Sequence, residues 1–147
     1  GSKTDLSYTE DDGRKLMPHI WEICAGVDRT LYAILDHNMI QEKERINLQL
    51  HPKLSPYDVA IFPLMKKEEL VKVAKEIVKD LEADFEIFYD TSGSIGKRYR
   101  RMDEVGVKNC ITIDYDSLEN KDVTLRDRDS MEQVRIKIQD LKNKLRN

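Results

Sequence analysis

Between Thr91 and Gly106 the chain gathers residues suited to holding an anion. Lys97, Arg98, Arg100 and Arg101 put four cationic side chains within five positions, behind Gly93 and Gly96 and ahead of Asp103 and Glu104. A glycine turn that opens a helix aims backbone N–H groups at an anion. Guanidinium groups bind phosphates as forked donors. A second run, Val123 to Asp129, alternates apolar and polar residues, so Thr124, Arg126 and Arg128 share one strand face. On an open sheet face such arginines contact phosphates, stack on bases or bond base edges. Alternatively, they close an internal ion-pair ladder with Asp114 or Asp116 of the neighbouring strand. The first stretch is not a P-loop, because Lys97 is followed by Arg98 and the glycine spacing is wrong.

These groups need elements to position them. Phe85, Ile87 and Tyr89 alternate before the basic stretch, and Cys110 to Ile113 form a β-like run after it. The stretch therefore reads as strand, glycine turn, short helix and return to strand. On the helix, Ile95, Tyr99 and Met102 share one face, and Lys97, Arg100, Arg101 and Glu104 share another. Upstream, Asp58 to Leu64 is a continuous apolar run that suits a strand buried on both faces of a parallel sheet. Residues 66–82 carry Leu70, Val71, Ala74, Ile77, Val78 and Leu81 on one helical stripe. The link from Ile113 to Val123 is too short for a parallel crossover, so strand 122–127 runs antiparallel. Met131, Val134, Ile138, Leu141 and Leu145 recur at helical spacing and predict a terminal helix capped at Asp129 or Ser130. The order β-α-β-α-β-β-α implies an α/β fold, a mixed four- to five-stranded sheet flanked by three helices.

The preceding chain is less regular. Residues 1–16 form a polar segment with a turn at Asp11 to Gly13, and Gly1-Ser2 reads as a scar of tag removal. Residues 17–57 hold a short strand candidate at 20–23, a helix from about Asp28 with Leu31, Ile34 and Leu35 on one face, and a connector broken by Pro52 and Pro56. The compact domain is expected over 58–147.

The net charge of the 147 residues is −3, so global electrostatics do not drive nucleic-acid binding and any such contact must be local. No apolar run approaches membrane-spanning length. Cys24 and Cys110 read as reduced thiols of a cytoplasmic protein, and His19, His37 and His51 have no metal-ligand spacing.

The stretch 90–106, with Ile111 to Asp114 and Thr124 to Met131, resembles the C-terminal domain of glycyl-tRNA synthetases of the archaeal and eukaryotic type. The resemblance runs from about residue 18 onward. It implies a class IIa anticodon-binding fold and recognition of the glycine tRNA anticodon loop. Residues 22–29 resemble the family's third class II motif, with Cys24 where serine is expected. There the arginine contacts ATP phosphates and the glutamate lies near glycine. The first two class II motifs are absent. Glu22, Gly26 and Arg29 are thus expected to be an incomplete nucleotide-binding remnant, with no catalytic residue, metal or cofactor in this chain. ATP and Mg belong to the parent enzyme, which the resemblance implies is a homodimer.

Glycine anticodons carry two cytosines, each offering an amine donor and the acceptors O2 and N3. The expected tRNA-binding residues are Lys97, Arg98, Arg100, Arg101, Asp103, Glu104, Arg126 and Arg128, with Tyr99 or Phe88 as a stacking plane. The alternatives are a small-molecule phosphate binder and an accessory or interaction module that keeps the fold without binding RNA.

Overall fold

A computed structural model describes residues 3–19 and 21–146. They fall into two compact units, Gly1–Leu31 and Tyr32–Asn147. In the first, β1 (Tyr8–Thr9) pairs antiparallel with β2 (Lys15–Leu16). The expected turn lies between them, with Gly13 at φ +83° and its N–H donating to the Glu10 carbonyl. The strand expected at 20–23 is not formed. Ile20 lies outside the described residues, and Trp21 to Ile23 are irregular and exposed. A lone apolar strand has no neighbour to take up its N–H and C=O groups. Helix α1 (Val27–Asn38) begins close to the expected position and buries none of its residues.

In the second unit, β3 (Met39–Gln41) and β4 (Ile46–Leu48) form a hairpin, so the expected connector is partly ordered. The five-stranded sheet follows, built from β5 (Val59–Pro63), β6 (Ile87–Tyr89), β7 (Asn109–Ile113), β8 (Asp122–Asp127) and β9 (Gln133–Lys137). The spatial order is β6-β5-β7-β8-β9. Strand β5 is parallel to both neighbours, and β8 runs antiparallel to β7 and β9. Every residue of β5 is buried, as its continuous apolar run requires.

Helix α2 (Glu68–Leu81) presents Leu70, Ala74, Ile77 and Leu81 to one sheet face. That face supplies Val59, Ile61, Ile111, Ile113, Val123 and Leu125, and Leu141 closes the layer. Helix α3 (Ile95–Val105) covers the other face, where Met102, Ile95 and Tyr99 pack with Ala60, Phe62, Val107 and Cys110. Burial pushes the Cys110 thiol up to about 12, which leaves it protonated at neutral pH. A short α4 (Tyr115–Asn120) bridges β7 and β8, capped reciprocally by Asp114 and Ser117.

The expected helix over 131–145 is instead β9, a 3-10 turn and a short α5 (Leu141–Arg146). Its supposed cap is a reversal. The Asp127 carboxylate accepts the N–H groups of Asp129 and Ser130, both at 2.9 Å, and Met131 turns the chain at φ 59°. Gln133 to Lys137 then alternate polar and β-branched residues, which suits an edge strand. Val134 is 48 % exposed and does not belong to the core. No described helix is long and apolar enough to cross a membrane.

Candidate nucleic-acid interface

Helix α3 starts after Gly93, at φ +74°, and stops at Gly106, at φ +90°. Gly106 is doubly constrained. Its left-handed backbone suits glycine, and a Cβ there would stand 2.9 Å from Leu50 Cδ1 and 3.1 Å from the Leu48 carbonyl oxygen. The turn before the helix does not offer its donors freely to an anion. Asp90 accepts both the Ser92 N–H and the Ser92 hydroxyl at 2.7 Å, and it also pairs with Arg101. Burial pushes the Asp90 carboxyl up, but Ser92 and Arg101 outweigh it and hold the group below its ordinary value. This built-in carboxylate argues against the phosphate-binder alternative.

Four of the eight charged residues expected at the interface lie inside the fold. Arg98 reaches under α3 and donates to the carbonyls of Pro63 at 2.7 Å, Leu64 at 3.1 Å and Asp90 at 3.3 Å. It ties the helix to the C-terminal end of β5. Arg126 binds Asp103 through both carboxylate oxygens, at 2.8 and 3.0 Å. Its guanidinium carbon lies 4.8 Å from the Tyr99 ring centroid. Burial lowers the Arg126 pKa, but Asp103 more than compensates and the net shift is upward. Arg128 donates to the carbonyls of Leu48, Leu50 and Gly106 at 3.0, 3.2 and 2.8 Å. The expected partners Asp114 and Asp116 bind neither arginine; they engage Arg135. The open-face position expected for Arg126 is therefore closed by α3.

Sequence reasoning also missed Arg45. From the β3–β4 connection it donates to Asp103 at 3.0 Å and to the Arg128 carbonyl at 2.7 Å. One buried carboxylate thus holds two guanidinium groups and fixes the hairpin, α3 and β8 together. Tyr99 is core, bonded through its hydroxyl to Thr112 Oγ1 at 2.6 Å and packed edge-on against Phe62. Phe88 packs against Tyr57.

Lys97, Arg100, Arg101 and Glu104 remain on the exposed face of α3. Lys97 and Arg100 have no ion-pair partner among the described residues. Beside the helix the sheet is open, and β9 places Arg135 on that face between Gln133 and Lys137. Cross-strand register places Phe62, Thr112, Thr124 and Arg135 in one row. The row starts under Tyr99 and ends two strand spacings, about 10 Å, beyond Thr112. The signal for Arg135 was the period-two alternation of Gln133 to Lys137, which the helical spacing of the flanking apolar residues masked. In the first unit, Glu22, Gly26 and Arg29 are exposed, and Glu22 accepts a contact from the Cys24 thiol at 2.9 Å. They form no cradle that fits ATP or Mg.

The anticodon binding domain family matches residues 58–147. The chain belongs to that family. Its anticodon-binding domain carries the whole five-stranded sheet. A glycine–tRNA ligase of Borrelia garinii subsp. bavariensis is 49 % identical over 132 residues, covering 86 % of this chain and 30 % of that protein. One of Rhodopirellula baltica is 42 % identical over 151 residues, covering 96 % of this chain and 28 % of that protein. The chain thus spans less than a third of the length of these curated relatives. Among solved structures, the RNA-binding domain of threonyl-tRNA synthetase from Cryptosporidium parvum Iowa II superposes with a TM-score of 0.60 at 26 % identity, covering 67 % of this chain and 25 % of that one. Prolyl-tRNA synthetase from Cryptosporidium parvum shares the fold with a TM-score of 0.76 at 21 % identity, covering 96 % of this chain and 29 % of that one.

Proposed function

We propose that this chain recognises the anticodon loop of glycine tRNA for a cytoplasmic, homodimeric glycine–tRNA ligase that uses ATP and Mg. The observation that carries the reading is the exposed basic face of α3, where Lys97 and Arg100 have no ion-pair partner among the described residues, beside an open sheet face, in a chain of the anticodon-binding family. Lys97, Arg100 and Arg101 meet loop phosphates, and Glu104 accepts from a base amine. Arg98, Asp103, Arg126 and Arg128 serve recognition indirectly, by fixing α3 on the sheet. Residues 17–57 are a remnant of the catalytic domain with its connector, and the anticodon module is residues 58–147. The test is titration of the 147-residue chain with glycine and non-glycine tRNAs at fixed salt. Tighter binding of glycine tRNA supports the reading. Equal binding of both leaves a phosphate-binding surface without selectivity, and no binding favours the interaction-module alternative.

A further inference from the structure

The two ends of α3 are held by different arginines. Arg98 fixes the first turn to the Pro63 and Leu64 carbonyls. The last turns are held in part from outside residues 58–147, by the β3–β4 hairpin. Arg45 closes that hairpin and commits its whole guanidinium to the fold. Its Nε and Nη2 donate to the two Glu42 carboxylate oxygens at 2.8 and 3.0 Å. Its Nη1 donates to Asp103 Oδ2 at 3.0 Å and to the Arg128 carbonyl at 2.7 Å. Only 7 % of the Arg45 side chain meets solvent, so it is not placed to touch an RNA phosphate itself.

The grip is built on both sides. Asn47 is fully buried, and its Nδ2 donates to Glu42 Oε1 at 3.3 Å, which orients the carboxylate that holds Arg45. Gly106 lets the end of α3 come so close to the hairpin strand that a Cβ would stand 2.9 Å from Leu50 Cδ1. From Glu42 the polar contacts run on through Arg45, Asp103 and Arg126 to the Tyr99 ring and Thr112 of β7. Lys97 and Arg100 lie between the two anchors, on the far side of the helix from this chain of contacts.

Resting on the anticodon reading above, we propose that Arg45 is a positioning residue for RNA recognition, through which the β3–β4 hairpin sets the angle at which α3 presents Lys97 and Arg100 to the loop. A binding constellation keeps its affinity only while the contacts behind it hold its geometry. Without Arg45 the helix keeps Arg98 and its apolar face, and Asp103 keeps Arg126, so the domain still folds. The last turns of α3 then shift, and the exposed cations shift with them.

The test measures binding of a glycine tRNA anticodon stem-loop to the 147-residue parent, Arg45→Met, Arg45→Lys and Ile77→Ala, well below the lowest melting temperature of the four. Ile77→Ala destabilises the domain from the opposite sheet face and controls for stability alone. Arg45→Lys keeps the charge but loses the forked bonding, and so controls for electrostatics. Amide chemical shifts of Lys97 to Glu104 in the RNA-free proteins record where α3 sits. Arg45→Met is expected to lose about five-fold or more in affinity and Arg45→Lys about two-fold or more, with α3 amides moved in both. Ile77→Ala is expected to bind as the parent does. The proposal is overturned if both Arg45 variants keep parental affinity, if α3 amides do not move, if Arg45→Lys restores binding in full, or if Ile77→Ala loses as much as Arg45→Met. In each of those cases a parent that binds the loop leaves the anticodon reading standing. If the parent itself binds no RNA, that reading falls and this proposal falls with it.

Discussion

Asp103 grips Arg126 with both carboxylate oxygens, at 2.8 and 3.0 Å, in a place where neither side chain meets appreciable solvent. Arg45 shares the same carboxylate at 3.0 Å. Removing one member of a buried pair leaves an uncompensated charge, which costs about 3–5 kcal/mol. Asp103→Asn leaves the buried Arg126 without its carboxylate, while Arg45 keeps Glu42 at 2.8 Å, and is expected to lose about that much in urea denaturation. Asp103→Leu combined with Arg126→Met removes both charges and is expected to lose less. A parental midpoint for Asp103→Asn contradicts the assignment of this carboxylate as the joint between hairpin, helix and strand.

Acid should loosen the same unit. Burial raises the Asp90, Asp114 and Asp127 carboxyls, but Ser92 with Arg101, Arg135 with Ser117, and the Ser130 and Asp129 N–H groups respectively outweigh it. All three end below the ordinary value of 3.8. A carboxyl with a depressed folded pKa contributes stability that is fully present above its unfolded pKa and lost as pH falls through the folded one. Stability is therefore expected to hold from neutral pH down to the ordinary carboxylate range and to fall below it. Asp114→Asn should flatten that fall in denaturation midpoints measured from pH 6 to pH 2. A parental slope in that variant would remove Asp114 from the explanation.

Two truncations separate the real core from the expected one. Ile77 is buried on the sheet-facing side of α2, so Ile77→Ala should cost about 2–5 kcal/mol. Val134 is on the half-open edge strand, and Val134→Ala should cost less than about 1 kcal/mol. Equal losses in calorimetry would place β9 deeper in the fold than its exposure shows.

The contrast between these positions explains what the sequence could reveal. The α2 stripe and the unbroken apolar run of β5 have one physical solution each, and both formed as expected. The two faces of α3 were legible for the same reason. The fate of Arg126 was not, because alternation assigns a residue to a sheet face without saying which stretch of that face a helix covers. Asp103 looked exposed for the same reason: it follows the core residue Met102 and turns toward Arg126. Residues 131–145 misled because apolar residues at 131, 134, 138 and 141 fit a helix, while 133–137 also fit a strand. Pairing with β8 decided for the strand and exposed Arg135. Arg45 was illegible because its partners lie 58 and 83 residues away.

The central claim is that the free cations of α3 meet RNA while the buried arginines build the platform beneath them. The most direct measurement is a salt titration of glycine tRNA anticodon stem-loop binding for the parent, Lys97→Glu and Arg100→Glu. Both residues are exposed and unpaired among the described residues, so melting should not change. Each lost phosphate contact should lower the slope of log affinity against log salt by about 0.7 for a single-stranded loop, with weaker binding at low salt. If both variants keep the parental affinity and slope, the RNA surface is not the α3 face, and the account is wrong.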